Sequence, residues 1–144
     1  MKQVSRSADG YIYPFIVILL FLLSWSQLHA FFLSFLVAFA FEIVAYKIIK
    51  KTLKRNRPCE EFPHVQMRLF PPDKFSFPSG HTAGAFCMAT LLLTYYPILS
   101  IPVLTWAAMV GLSRIYLGLH YPSDVLAGIV LGSLSAYAGL VLMN

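Results

Sequence analysis

Residues 120–143 read HYPSDVLAGIVLGSLSAYAGLVLM, and from Val125 to Met143 no charged residue interrupts them. A helix rises 1.5 Å per residue, so about 20 apolar residues cross a bilayer core. Pro122 suits the first turn of such a helix, where its missing N–H is no loss. Working outward from this span, four more apolar runs lie at 11–28, 30–49, 79–97 and 101–118. None alternates with period 2, and five strands cannot close a barrel, which leaves helices as the spanning structure. The expectation is an all-α, multi-pass transmembrane helix bundle of about five spans. Composition agrees: hydrophobic residues are 58% of the 144, charged residues 12%, and mean hydropathy is +0.71. A soluble domain carries about 25% charged residues. A core this small cannot hide so much apolar surface from water, so lipid is the solvent for much of it.

The chain reads as one domain over 1–144, with its polar chemistry in 50–124. Residues 50–78 form a long loop that holds most of the charge, and Pro58, Pro63, Pro71, Pro72 and Pro78 keep it from becoming one helix. Five spans put this loop, the short link Leu119–Tyr121 and the N-terminal segment on one face, so any site lies at one membrane interface. Asp9-Gly10 reads as a turn on that face. Small residues four apart mark packing seams at Gly80/Gly84, Ala107/Gly111 and Gly128/Gly132. Tyr11, Tyr13 and Trp25 read as interfacial anchors of the first span. Glu42 lies inside the second span, where an acid needs a partner, and Tyr46 or Lys47 is the expected one. The net charge of +5 comes from eleven Lys and Arg against six Asp and Glu. These cations sit between apolar spans, which fits an anionic substrate or a membrane surface and argues against a nucleic-acid partner. Cys59 and Cys87 show neither zinc-ligand spacing nor a disulfide framework.

Three polar clusters lie at helix ends on the shared face. In one, His120 precedes Asp124 by four residues, which brings a carboxylate within reach of an imidazole. A carboxylate on one ring nitrogen fixes the tautomer and makes the other a better nucleophile or base. An acid favouring the helix dipole beside a surface histidine is the plain alternative. In the second, Pro78-Ser79-Gly80-His81 opens a helix whose free N–H groups favour an anion. His81 beside it could pass a proton to a leaving oxygen; a simple serine cap is the alternative. The third cluster supplies positive charge from Lys50 and Arg57, joined by Arg114 near the end of an apolar span. Arginine grips phosphate with two parallel hydrogen bonds, and a charge inside a span must be paired or near water. Lys51, Lys54 and Arg55 read as contacts to lipid headgroups.

Together these residues resemble the type 2 phosphatidic acid phosphatase superfamily. Its three motifs match in order: Lys50, six residues, Arg57-Pro58; Pro78-Ser79-Gly80-His81; and Ser113-Arg114, five residues, His120, three residues, Asp124. The resemblance implies that His120 attacks phosphorus to form a phosphohistidine, that Asp124 orients it, and that His81 protonates the leaving oxygen. It implies that Lys50, Arg57, Ser79, Gly80 and Arg114 hold the phosphate oxygens. No metal and no cofactor is expected, since the sequence offers no carboxylate cluster to hold an ion. The expected substrate is a lipid phosphate or an isoprenyl diphosphate, with a catalytically altered relative that binds or moves lipids as the alternative. Vanadium-dependent haloperoxidases also resemble this motif set, but those relatives are soluble, which this composition argues against. On sidedness two arguments collide. All eleven Lys and Arg lie at the site's end of the bundle, which the positive-inside rule reads as cytoplasmic. The resemblance implies the outer face of the cell membrane, and the outer face is the expectation taken here. Lipid identity and oligomeric state are not legible.

Overall fold

The structure, a computed structural model, describes residues 1–22, 27–65, 67–71 and 73–143. Among them the chain forms helices α1 (Lys2–Arg6), α2 (Ile12–Leu22), α3 (Leu28–Leu53), α4 (Pro58–Glu61), α5 (Gly80–Tyr95), α6 (Ser100–Tyr116) and α7 (Pro122–Met143), with a 3₁₀ turn at Pro97–Leu99 before α6. No strand appears among the described residues. The all-helical membrane bundle is as expected, but its spans are unequal. Leu28–Glu61, Pro97–Tyr116 and Pro122–Met143 are long and apolar enough to cross a membrane, while Ile12–Leu22 is a shorter apolar helix.

The helix α5, with 16 residues, reaches only about 24 Å. It can be short and rich in small residues because it is wrapped: α7, α6 and α3 all pack on it, and Ala83, Ala85, Cys87, Met88, Ala89 and Leu91 are fully buried. The outer helices show the reverse pattern. On α7 the exposed residues Leu126, Val130, Leu134, Tyr137 and Val141 recur at helical spacing, an apolar stripe of the kind a lipid environment covers. The α3 phenylalanines divide between the two environments. Phe31 is fully buried, while Phe32 and Phe41 are 41% and 49% exposed. Phe35 and Phe39 are half-buried, their rings tilted against each other with centroids 4.6 Å apart.

The small-residue seams differ in kind. Gly80 and Gly84 lie under the rings of Tyr46 and Tyr13, and Gly111 lies under Val125. Of these three seams, the α7 pair is the one whose glycines meet another helix backbone, as Gly139 further along α7 also does. A Cβ at Gly128 would stand 2.7 Å from the Ser79 carbonyl oxygen, and one at Gly132 would run into the Ala83 carbonyl. One expectation changes. Tyr13 is not an interfacial anchor: it is 5% exposed and donates a hydrogen bond to the Ala8 carbonyl at 3.3 Å, whereas Tyr11 is 69% exposed. Position 13 turns inward because Gly84 leaves room for its ring. Trp25 lies outside the described residues.

Gly132→Ala should therefore destabilise the protein by about 1–3 kcal/mol, the usual cost of overpacking a close seam. Leu134→Ala on the exposed stripe should change stability by no more than about 0.5 kcal/mol. Thermal unfolding in detergent measures both, and equal losses would refute the seam.

Candidate functional site

A cavity of about 870 Å³ opens where the ends of α3, α5 and α6 meet the 119–121 link. Lys50, Arg57, Gly80, His81, Arg114 and His120 all line it, so six of the eight expected site residues share one space. The other two stand behind the wall. Asp124 is fully buried under His120. Ser79 occupies the cap position of α5, but its hydroxyl bonds Thr82 Oγ1 at 2.8 Å instead of facing the cavity. Its backbone N–H donates to the Asp124 carbonyl at 3.0 Å, which ties the starts of α5 and α7 together.

His120 is 3% exposed. Its Nδ1 lies 3.7 Å from Asp124 Oδ2, an ion-pair distance too long for a hydrogen bond, and its Nε2 lies 3.4 Å from Arg57 Nη1. Burial pushes this imidazole down to about 4. The Asp124 carboxylate pulls the other way, and Arg114 and Arg57 add to the fall. The ring is therefore neutral near pH 7, with a lone pair available. Asp124 is held from elsewhere as well. Arg55 Nη1 donates to its Oδ1 and the Tyr121 N–H to its Oδ2, both at 2.8 Å. Arg55 was expected among the lipid headgroups. Lys54 closes α3 in the left-handed region (φ 45°), the chain turns back, and Arg55 stacks 3.8 Å over the Tyr121 ring.

Asp73 is the residue that sequence reasoning missed. It accepts from Lys50 Nζ at 2.7 Å, from Arg57 Nη2 at 2.5 Å and from the Tyr46 hydroxyl. Burial alone would raise its carboxyl. The hydrogen bonds from Lys50 and Tyr46, with the Lys50 and Arg57 charges, outweigh that and hold it below the usual carboxylate range. A third acid, next to Lys74 in a loop rich in Lys and Arg, was the available signal. Tyr46, an expected partner of Glu42, is thus engaged elsewhere; Glu42 is 6% exposed and lines the cavity.

Five cations (Arg6, Lys47, Lys50, Arg57, Arg114) line the cavity against three acids (Asp9, Glu42, Asp73). Arg57 and Arg114 are each 1% exposed, and the Nε–H of each has no acceptor among the described residues. Buried donors of this kind are destabilising until an acceptor meets them, and an anion supplies several lone pairs at once. Tyr13, Phe35, Phe39 and Ile43 form an apolar wall on the side of α2 and α3. The arrangement is a polar, cation-rich end on an apolar slot, inside a helical membrane bundle.

The comparisons agree with that class. The family model of the PAP2 superfamily matches residues 31–144. The chain belongs to the PAP2 superfamily. It is 41% identical over 103 residues to a decaprenylphosphoryl-5-phosphoribose phosphatase of Mycobacterium tuberculosis, covering 69% of this chain and 56% of that one. Its fold matches the crystal structure of Aquifex aeolicus LpxE with a TM-score of 0.80 at 27% identity, over 97% of this chain and 82% of that one. It also matches a transmembrane PAP2-type phosphatidylglycerolphosphate phosphatase of Bacillus subtilis, with a TM-score of 0.73 at 26% identity, over 99% and 74% of the two chains. The chain spans about half the length of the curated relatives it matches.

Asp73→Asn leaves Lys50 and Arg57 without a counter-charge. The loss should be about 2 kcal/mol, below the roughly 3–5 kcal/mol of a fully buried pair, because the Asp73 side chain is 33% exposed. Vanadate, a phosphate-like anion, should restore more stability to this variant than to the parent in thermal unfolding. Equal stabilisation of both proteins would contradict the assignment.

Proposed function

We propose that this protein removes phosphate from a lipid phosphomonoester or diphosphate through a phosphohistidine on His120, without a metal. The observation that carries this reading is a buried imidazole, His120, with Arg57 Nη1 3.4 Å from its Nε2, in a cavity lined by two buried guanidinium groups with acceptor-free Nε–H donors. The apolar wall suits the acyl or prenyl part of a substrate whose phosphate lies among Lys50, Arg57 and Arg114. The relatives' names fit the same class: one is a decaprenylphosphoryl-5-phosphoribose phosphatase, another a phosphatidylglycerolphosphate phosphatase.

In the proposed reaction Nδ1–H of His120 is turned to Asp124 and Nε2 attacks phosphorus. The P–Nε2 bond forms as the P–O bond to the lipid breaks, and the leaving oxygen takes a proton from His81. Water then attacks phosphorus, the P–Nε2 pair returns to the ring, His81 receives the water's proton, and inorganic phosphate departs. The covalent step divides one barrier into two, and the fixed guanidinium groups meet the charge that develops in flight. A cavity with five cationic side chains repels a divalent cation, which is the physical support for a metal-free reaction.

The expected result for His120→Ala is a loss of turnover of at least about 10³-fold with the protein still folded. Acid-labile phosphate should be trapped on the parent but not on the variant. Parent activity should survive a strong chelator. Turnover near the parent level in His120→Ala, or a magnesium requirement, would defeat the proposal.

The site is further proposed to face the outside of the cell. The charge rule that argues otherwise counts eleven cations. Five of them line the cavity and Arg55 holds Asp124, so five remain as topology signals. Cys59 in α4 is partly exposed on this face, whereas Cys87 is fully buried in α5. In a Cys87→Ala background, a membrane-impermeant thiol reagent should label Cys59 in intact cells. Labelling only after the cells are broken would place the site inside.

A further inference from the structure

The family match begins at residue 31, yet two motif side chains are held by residues far upstream of it. The segment before α2 folds over the cavity, with α1 packed against α6. It is fixed at several points. Trp106 Nε1–H donates to Ser7 Oγ at 2.9 Å, and the Tyr13 hydroxyl donates to the Ala8 carbonyl at 3.3 Å. Ser5 is fully buried and Ala8 is 3% exposed. From this strap Ser5 Oγ accepts from Arg114 Nη1 at 2.5 Å, and Asp9 Oδ1 stands 2.9 Å from His81 Nε2.

We propose that Asp9 is the positioning residue of His81: its carboxylate binds Nε2–H and leaves Nδ1 to serve the leaving oxygen. The inference rests on the phosphatase reading above. His81 is the second residue of α5, at the cavity rim, where little helix precedes it to restrict the ring. Asp9 can restrict it because its own backbone is fixed on both sides: Asp9 N–H donates to Arg6 O at 3.1 Å, and Ile12 N–H donates to Asp9 O at 3.0 Å. The charged groups around His81 are Arg114 from α6, Asp9 from the strap and Asp73 from the loop. Burial first, and then Arg114, oppose a proton on the imidazole. Asp9, in direct contact, favours it, and a general acid must hold that proton before it can deliver it.

The proton balance closes. Protonated His81 carries hydrogen on both nitrogens. The Nδ1 proton goes to the lipid-side oxygen as its bond to phosphorus breaks, while Nε2–H stays on Asp9. The attacking water returns a proton to Nδ1 when the phosphohistidine is hydrolysed. Asp9 remains ionised throughout and touches neither substrate nor phosphorus.

The test uses the full chain in detergent with two substrates, an aryl phosphate with a good leaving group and phosphatidic acid, whose leaving group is alkyl. Asp9→Asn keeps the shape and removes the charge. It should lower kcat on phosphatidic acid by about 10- to 100-fold, a part of the 10²–10⁴ that general acid catalysis supplies. It should leave KM and aryl phosphate turnover nearly unchanged. Asp9→Glu should recover part of the loss. In a His81→Ala background Asp9→Asn should have no further effect, since the group it positions is gone. Equal slowing on both substrates, or further slowing of His81→Ala, would reduce Asp9 to a structural strap and overturn the inference. If His81→Ala itself shows no leaving-group dependence, the acid assigned to His81 fails first and Asp9 falls with it.

Discussion

The hydrogen bond from Ser79 N–H to the Asp124 carbonyl oxygen, 3.0 Å long, joins the first turns of α5 and α7. It can form because α7 lies close against α5, with Gly128 and Gly132 offering no side chain at the Ser79 and Ala83 carbonyls. The residues that flank this joint are the ones with chemistry. His81 is two positions after Ser79, and His120 is four positions before Asp124. Two histidines distant in sequence are thus brought to one cavity by a backbone contact between two helices. A side chain at the seam would separate them without touching either. Small residues in a membrane helix serve close approach because no hydrophobic effect drives helices together in lipid.

The second constraint is charge. Lys50, Arg57, Arg114 and Asp124 are all nearly or fully buried at one end of an apolar bundle. The chain meets this with counter-charges from segments outside the long helices. Asp73 from the loop bridges Lys50 and Arg57, and Arg55 after α3 covers Asp124. The backbone contributes too: Arg57 donates to the carbonyls of Leu119, Asp73 and Phe75. Of the two carboxylates paired with these cations, Asp73 is the water-facing one, with 33% of its side chain exposed against none of Asp124, so displacing it with an anion would keep Lys50 and Arg57 paired. That exchange is the electrostatic counterpart of the proposed phosphate binding.

The parts legible in the sequence are those set by local pattern. Apolar run length located α3, α6 and α7, and three motifs at helix starts and ends located Lys50, Arg57, His81, Arg114 and His120 in one space. What was not legible depends on chain reversals and on packing across the bundle. Arg55 turns inward because Lys54 adopts a left-handed conformation, and Asp73 reaches Lys50 across 23 positions. Asp9 reaches His81 across 72. Tyr13 carries the composition of an interfacial anchor, and its burial follows from the space over Gly84 on another helix. The Ser79 motif likewise gave no sign that its hydroxyl bonds Thr82, one turn on, at 2.8 Å.

Tyr13 and Tyr46 show how the two sides of the cavity are coupled. Each lays its ring over a glycine of α5, Tyr13 on Gly84 and Tyr46 on Gly80. Each then passes its hydroxyl to a segment outside the long helices: Tyr13 to Ala8 in the strap and Tyr46 to Asp73 in the loop. The ring faces belong to the apolar slot, while the hydroxyls belong to the polar end. A tyrosine can join such regions because it pairs a large apolar body with one polar tip. The strap that holds His81 and the loop that holds Lys50 are therefore referenced to the same face of α5, four residues apart. A bulky change at either glycine would displace a tyrosine first, then the segment tied to its hydroxyl, and only through that segment the charged groups of the site.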